Sequence, residues 1–391
     1  MRRSPIRLAF VTVAMVGLAV PTVEAQEVKS FDEARARSAE TGKPILLEFY
    51  RDDCEYCEEA TRAADTDENI QAGLARVVHL KLSSLVGEGT ALSETYRVGI
   101  YYPVFILTDS AGRVISRWTG FTGAERFIGS LDQALSDLIT VEERVARCEI
   151  GPTVKDVLFL ADYFNDTREY LKARDHYREL GRLQGPQLDL SYRLFQVTAE
   201  AVWSDLLPFD SLTVAADEVL AKREENSRDL GEMAQITANV ARRTGHADRI
   251  EPYLTAGIEA TFRRTDEAGI DLHRDLLADY ALHVLNDTAE ALSVKKKALG
   301  ERWESDPERY FRFGEWCYRR NINLAAAEEY VRRATEKASG DKFQATHLRL
   351  LAEICYARGK VDEAIELANQ ALTLDPTAFW FEEKLAEWRA R

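Results

Sequence analysis

Apolar residues follow two different periods in the two parts of this 391-residue chain. Up to about residue 145, short apolar runs alternate with segments in which apolar positions recur at helical spacing. The short runs predict four strands, at 45–50, 77–82, 104–107 and 114–119. The other segments predict helices, at 31–40, 54–64, 67–75, 91–97 and 124–138. Strands that alternate with helices and end in a hairpin predict an α/β fold with helices on both faces of the sheet.

From residue 152 onward the pattern is helical almost throughout and carries internal similarity. The clearest unit has small or apolar residues in regular positions, namely Leu351, Ala352, Cys355, Gly359, Ala364, Ala368 and Ala371, with Pro376 at its end. Small residues at this spacing let two antiparallel helices approach closely, and the proline ends the second helix. The pattern recurs 38 residues earlier, from Phe313, and 191 residues earlier, from Leu160. We predict an all-α solenoid of about five helix pairs, least regular at 185–226 and closed by a capping helix at 377–390.

The two parts meet at Gly151-Pro152, a dipeptide that breaks helices. We therefore predict one domain over 26–148 and a second over 152–391. The linker between them is so short that the two domains should touch.

The first 25 residues have the composition of a secretory signal peptide. Three arginines come first, Leu8 to Val20 is almost wholly apolar, and Ala25 supplies a small residue at the expected cleavage point. This apolar run is shorter than the roughly 18 to 20 residues that span a bilayer, and no later stretch is long and apolar enough. We predict a signal peptide at 1–25 and a periplasmic or secreted protein without a membrane span after cleavage. An uncleaved membrane anchor is the alternative.

Composition excludes several classes of protein. Hydrophobic residues make up 46% of the chain, enough for apolar cores, whereas five cysteines are too few for a disulfide-stapled scaffold. The formal charge of −15 argues against nucleic acid and anionic lipid as partners. Six scattered histidines show no metal-binding spacing, and no glycine-rich phosphate loop is present, so we expect neither a metal nor a cofactor.

Candidate chemistry centres on Cys54-Glu55-Tyr56-Cys57, which lies between a predicted strand and a predicted helix. Two cysteines at this spacing can interconvert between a dithiol and a disulfide, and a helix N-terminus favours the thiolate that attacks a disulfide. Acidic neighbours disfavour that thiolate, although solvent screens exposed carboxylates. The expected couple is therefore less oxidising than that of a strong oxidase, which favours a reductase or an isomerase-like role.

The order of strand, C-x-x-C helix, strand, helix, X-Pro strand, hairpin and helix over residues 28–142 resembles the thioredoxin superfamily. This resemblance implies that Cys54 is the attacking cysteine and Cys57 the resolving one. It implies a cis proline at Pro103, which together with Tyr102 would align the substrate chain. Other matched positions are Glu48 as a buried acid that assists proton transfer, Lys81 as its partner, and Gly120 after the last strand. Asp53 and the inner Glu55-Tyr56 depart from the usual residues. Residues 152–391 resemble tetratricopeptide repeats.

Each of these assignments has a simpler alternative. The C-x-x-C pair could form a purely structural disulfide. Glu48 could be an ordinary strand carboxylate at the rim of the sheet; if its apolar neighbours bury it, we expect burial to raise its pKa toward 7 and make it a proton acceptor. Cys317 and Cys355 occupy equivalent positions in neighbouring repeats, about 8 to 10 Å apart if their helices pack directly. That spacing exceeds the limit of roughly 7 Å between Cα atoms for a disulfide, so we predict two buried core residues.

Two functional hypotheses follow. In the first, the protein is an exported thiol-disulfide oxidoreductase that acts on protein thiols and disulfides, takes electrons from a membrane reductase or another thiol protein, and binds a protein or peptide partner through its repeats. In the second, it is a non-enzymatic, protein-binding repeat protein in which the thioredoxin-like domain is a structural or docking module.

Overall fold

The computed structural model describes residues 28–52, 54–185, 187–223, 227–298, 306–376 and 379–390. The predicted signal peptide and Asp53 lie outside these ranges.

A four-stranded mixed sheet forms the centre of the N-terminal part. Its strands are β1 (Ile45–Tyr50), β2 (Val78–Ser83), β3 (Val104–Thr108) and β4 (Val114–Thr119). Their order in the sheet is β2-β1-β3-β4, with β1 parallel to β2 and the other neighbours antiparallel. All four strands lie within one residue of the predicted bounds, which confirms the α/β prediction for this part of the chain.

Helices cover both faces of this sheet because its strands bury both sets of alternating side chains. The helices are α1 (Phe31–Thr41), α2 (Glu55–Thr66), α3 (Glu68–Leu74), α4 (Glu88–Thr95) and α5 (Ala124–Leu135). On one face, Leu46 and Phe105 pack with residues of α2, α3 and α5. On the other, Leu47 and Phe49 pack with Ala34 of α1.

Every described residue range beyond the sheet domain is dominated by helices. They are α6 (Val141–Ile150), α7 (Val154–Asp166), α8 (Tyr170–Gln184), α9 (Ser191–Trp203), α10 (Phe209–Lys222), α11 (Arg228–Thr244), α12 (Glu251–Thr261), α13 (Glu267–His283), α14 (Thr288–Ala298), α15 (Pro307–Arg319), α16 (Leu324–Lys337), α17 (Asp341–Ala357), α18 (Val361–Leu374) and α19 (Phe379–Ala390). From α7 to α18 consecutive helices pack in pairs, as the sequence predicts for a helical-repeat region.

The described residues form six such pairs, where the sequence indicated about five. The pair of α9 and α10 covers most of the segment at 185–226, which departs furthest from the repeat pattern. It buries large apolar side chains such as Phe195 and Leu212 beside small ones such as Ala201 and Ala216. Elsewhere the small residues act as predicted: a Cβ at Gly314 would lie 2.3 Å from the Val331 side chain of the paired helix.

The sheet domain and the first helix pairs share one continuous apolar cluster. It includes Leu47 and Leu80 from the sheet, Val141 of α6 and Leu160 of α7, and it extends to Val197 of α9. The Gly151-Pro152 dipeptide lies in the short connection between α6 and α7. The two parts are therefore in direct contact.

Candidate active site

The cysteine pair lies where β1 gives way to α2. Cys54 is the N-cap residue of α2, and in this structure it forms a disulfide with Cys57, with 5.2 Å between the two Cα atoms. The backbone N–H of Cys57 donates to the Cys54 sulfur over 3.1 Å. A sulfur in this position faces the free N–H groups at the positive end of a helix, which stabilises a thiolate there.

The two cysteines differ in accessibility. Cys54 is half-buried, whereas only 2% of Cys57 is exposed. Of the pair, Cys54 is therefore the residue that a molecule in solution can approach, and Cys57 is shielded by the fold.

A cis peptide joins Tyr102 to Pro103, as the sequence predicted. Antiparallel pairing of Phe49 with Val104 brings Pro103 to the edge of the sheet where β1 ends. The Arg51 guanidinium, close to the cysteines in sequence, lies 5.8 Å from the centre of the Tyr102 ring. The N–H of Gly120, whose φ of +86° suits glycine, donates to the Pro103 carbonyl over 2.7 Å.

Behind the cysteines, Glu48 is buried within a polar network. Its Oε2 lies 2.8 Å from His79 Nε2, and its Oε1 lies 3.6 Å from Lys81 Nζ. Lys81 also donates to the Thr61 hydroxyl, which in turn donates to the Cys57 carbonyl over 2.8 Å. The chain of contacts thus leads from the carboxylate to the backbone of the second cysteine.

The pKa of Glu48 is lowered, which corrects the expectation that burial would raise it toward 7. Burial does act to raise this pKa, but the hydrogen bond and charge of His79 and the charge of Lys81 outweigh it. The partner the sequence analysis missed is His79. His79 and Lys81 alternate with the buried Val78, Leu80 and Leu82, so their side chains lie on the same face of β2. Since Lys81 was expected to pair with Glu48, the same alternation could have predicted His79 beside it.

The acidic side chains around the motif point into solvent. Asp52, Glu55, Glu58 and Glu59 are all exposed, as is the Tyr56 ring. Water and salt screen exposed charges strongly, so these carboxylates oppose a Cys54 thiolate only weakly.

Among the described residues, one group of potential metal ligands converges, formed by Glu328, Cys355 and Glu363 in the repeats. Cationic side chains already pair with Glu328, since Lys360 approaches it at 2.8 Å and Arg332 at 3.1 Å, and Arg358 also contacts it. The positive charge of these side chains opposes the binding of a metal cation. Cys317 and Cys355 are both buried and free, as predicted.

Comparison with known proteins agrees with this architecture. Residues 26–110 match the family described as thioredoxin-like, and residues 348–378 match the tetratricopeptide repeat. A region of 112 residues is 34% identical to the thiol:disulfide interchange protein DsbD of Ralstonia nicotianae, covering 28% of this chain and 18% of that protein. A region of 113 residues is 29% identical to the protein of the same name from Actinobacillus pleuropneumoniae, covering 28% of this chain and 19% of that protein.

The chain thus spans about a fifth of the length of these relatives. It has a thioredoxin-like domain with a cysteine pair, followed by helical repeats. Within the described ranges, every helix is too short or too polar to cross a membrane.

Proposed function

We propose that this protein is an exported thiol-disulfide oxidoreductase, of the reductase or isomerase type, with Cys54 and Cys57 as its redox centre. The observation that supports this most directly is the Cys54–Cys57 disulfide at the start of α2, with the first cysteine partly exposed and the second buried. The two relatives, whose names describe thiol:disulfide interchange, favour the same chemistry.

In the reducing direction, the Cys54 thiolate attacks one sulfur of a substrate disulfide. That S–S bond breaks, a substrate thiolate leaves and takes up a proton, and a mixed disulfide remains on Cys54. The Cys57 thiolate then attacks the Cys54 sulfur and releases the second substrate thiol. Two electrons pass to the substrate, and a dithiol donor, either a membrane reductase or another thiol protein, restores the reduced pair.

In this proposal Glu48 handles the proton that Cys57 loses when it attacks. Its lowered pKa keeps Glu48 ionised at neutral pH, so that it can accept a proton, although as a weaker base than a carboxylate with a pKa near 7. Its contacts with His79 and Lys81 hold it beneath α2.

Tyr102 and Pro103 would align the substrate backbone beside Cys54. Their place at the sheet edge where β1 ends supports this role, as does the contact between Arg51 and the Tyr102 ring. The helical repeats would bind a protein or peptide partner. Export, which rests on the predicted signal peptide at 1–25, would place the reaction in the periplasm or outside the cell.

The non-enzymatic alternative also has an observation in its favour. The continuous apolar cluster between the sheet and α7 to α9 shows that the thioredoxin-like domain covers the end of the helical repeats. A domain used only as a structural cap would need that contact but no redox chemistry.

Insulin reduction with dithiothreitol as electron donor separates the two functions. The wild type should accelerate precipitation of the insulin B chain, and Cys54→Ser should abolish this acceleration. Cys148→Ser is the matched control, since it removes a free, half-buried thiol outside the site and should retain activity. Titration of the Cys54–Cys57 couple in thiol buffers would give its reduction potential. A wild type that is no faster than Cys54→Ser would favour the non-enzymatic role.

A further inference from the structure

A groove of about 740 Å³ lies between the loop that precedes Pro103 and the helical repeats. Residues 99–101 form one side of it, and residues at the α7–α8 turn and the end of α9 form the other. It is built jointly by the thioredoxin-like domain and the repeats, so neither part forms it alone.

Both walls present large apolar side chains to solvent. On the loop, 68% of Ile100 and 74% of Tyr101 are exposed. Opposite them, at the end of α9 and just after it, 40% of Trp203 and 48% of Leu206 are exposed. Apolar side chains from two domains that converge on one groove mark a surface suited to binding apolar groups.

The two walls approach each other closely. The Arg168 guanidinium lies near the backbone of Gly99, and Arg97, two residues earlier, forms an ion pair of 4.0 Å with Glu169 at the α7–α8 turn. Within the sheet domain, Arg117, which also lines the groove, donates to the carbonyl of Tyr96 over 3.1 Å. The loop therefore lies against the repeats directly before the segment that would align a substrate.

The groove lies close to the redox site, since Thr119, which lines it, pairs with Val104, the residue after Pro103. Tyr101 stands two residues before Pro103, at the sheet edge where β1 leads to Cys54. Charges of both signs, from Arg117, Arg168, Asp166 and Glu200, line the polar part of the groove. A ligand of high net charge would gain little from such a mixed lining, whereas a polypeptide backbone with apolar side chains suits it.

From these observations we propose that the groove binds the substrate polypeptide itself, at the large apolar or aromatic residues that flank the cysteine attacked by Cys54. The proposal rests on the redox function proposed above and specifies its substrate class: extended, disulfide-bearing polypeptides rather than small disulfides. The repeats would then take part in substrate selection at the redox site as one wall of the binding groove.

The test uses the reduced full-length protein and peptides whose single cysteine carries a 2-nitro-5-thiobenzoate disulfide, which releases a coloured thiolate on exchange. One peptide has phenylalanine at the positions two to four residues from the cysteine on both sides, and its partner has serine there. The small disulfide 5,5′-dithiobis(2-nitrobenzoate) is the reference. We expect the wild type to prefer the phenylalanine peptide by about ten-fold in kcat/KM, mainly through KM.

Trp203→Ala and Leu206→Ser should each reduce this preference to about two-fold, because they remove apolar area from one wall. The matched control is Phe343→Ala in α17, which removes a more exposed aromatic ring outside the groove and should keep the wild-type preference. If Trp203→Ala does not fold, the proposal is still tested by Leu206→Ser and by the wild-type rates on the two peptides.

Equal wild-type rates on the two peptides would overturn the proposal, as would an undiminished preference in both groove variants. Concentration-dependent sedimentation that Trp203→Ala abolishes would also overturn it, because it would show a second copy of the chain in the groove. Failure of the redox function itself looks different: no peptide and no small disulfide would then release the coloured thiolate.

Discussion

At the scale of single residues, the thiols of this chain differ through their surroundings. Burial raises the pKa of Cys317 to about 12 and that of Cys355 to about 11, so both stay protonated at neutral pH. Cys54 instead caps a helix and receives a hydrogen bond from the N–H of Cys57. The same side-chain chemistry is therefore inert in the repeats and suited to thiolate reactions at the start of α2.

The prediction at this scale concerns Glu48, whose buried carboxylate has His79 and Lys81 as partners. Glu48→Gln should slow the resolving step by Cys57. It should also lower the free energy of unfolding at pH 7 by about 2 kcal/mol, because the carboxylate loses its ion pairs. The loss is smaller than for a fully buried pair, because the side chains of His79 and Lys81 are partly exposed to water. Insulin reduction and urea denaturation measure the two effects. Glu94→Gln, at an exposed carboxylate of α4, is the control and should change neither.

The pH dependence of this effect has a defined sign. Because the folded pKa of Glu48 lies below its ordinary value of 4.5, its stabilising contribution is complete above that value. It is lost as the pH falls through the folded pKa. The stability difference between wild type and Glu48→Gln should therefore shrink as the solution is acidified below about pH 4.5. A difference that grows in acid would contradict the assigned direction.

At the scale of elements, a buried ion-pair network joins α5, α6 and α7. Arg144 of α6 lies 2.6 Å from Asp156 of α7 and 2.9 Å from Asp137, which follows α5. Its guanidinium also lies 4.3 Å from the centre of the Phe159 ring. Since Arg144 and Asp156 are each only 2% exposed, the orientation of α6 against α7 depends on a pair that water does not reach.

Arg144→Met should lower the free energy of unfolding by about 3 to 5 kcal/mol, because it leaves Asp156 buried without its main partner. Adding Asp156→Leu should recover much of the loss, since two apolar residues then replace the pair. Guanidinium denaturation of both variants tests this. The surface pair of Arg76 and Asp132, joined at 2.6 Å, provides the control variant Arg76→Met, which should stay close to wild type. A double variant no more stable than Arg144→Met would refute the account.

At the scale of the whole molecule, buried apolar residues form successive clusters along the chain. One runs from the sheet to α9, the next from α9 to α13, and the last from α13 to α19. Neighbouring helix pairs stabilise one another in such an arrangement, so the effect of a local change should fade with distance along the repeats.

Deletion of residues 377–391, which contain α19, tests this separation. It removes Phe381, Leu385 and Trp388, all buried in the last cluster, with Trp388 stacked on Tyr356 at 4.6 Å between ring centres. Truncating one large buried aromatic costs roughly 3 to 5 kcal/mol, so the last cluster should unfold at lower temperature. Insulin reduction, which depends on the sheet and on α2 at the other end of the molecule, should survive. Loss of both together would show that the chain unfolds as one cooperative unit.

Local pattern was enough to predict much of this protein. The strands followed from short apolar runs, the repeats from small residues at regular spacing, and the cysteine motif at a helix start from the order of elements. These features depend on contacts between residues near one another in sequence or on one face of an element, and periodicity reports such contacts directly.

The tertiary structure alone decided what distant segments do to one another. His79, in a neighbouring strand, reverses the direction in which burial alone would shift the pKa of Glu48. The groove joins Tyr101 to Trp203 across two domains, and the apolar cluster joins the sheet to α9. A periodic pattern shows which face of an element is buried but not which partner buries it. Chemistry that depends on a partner's charge or shape is therefore settled only when the whole chain has folded.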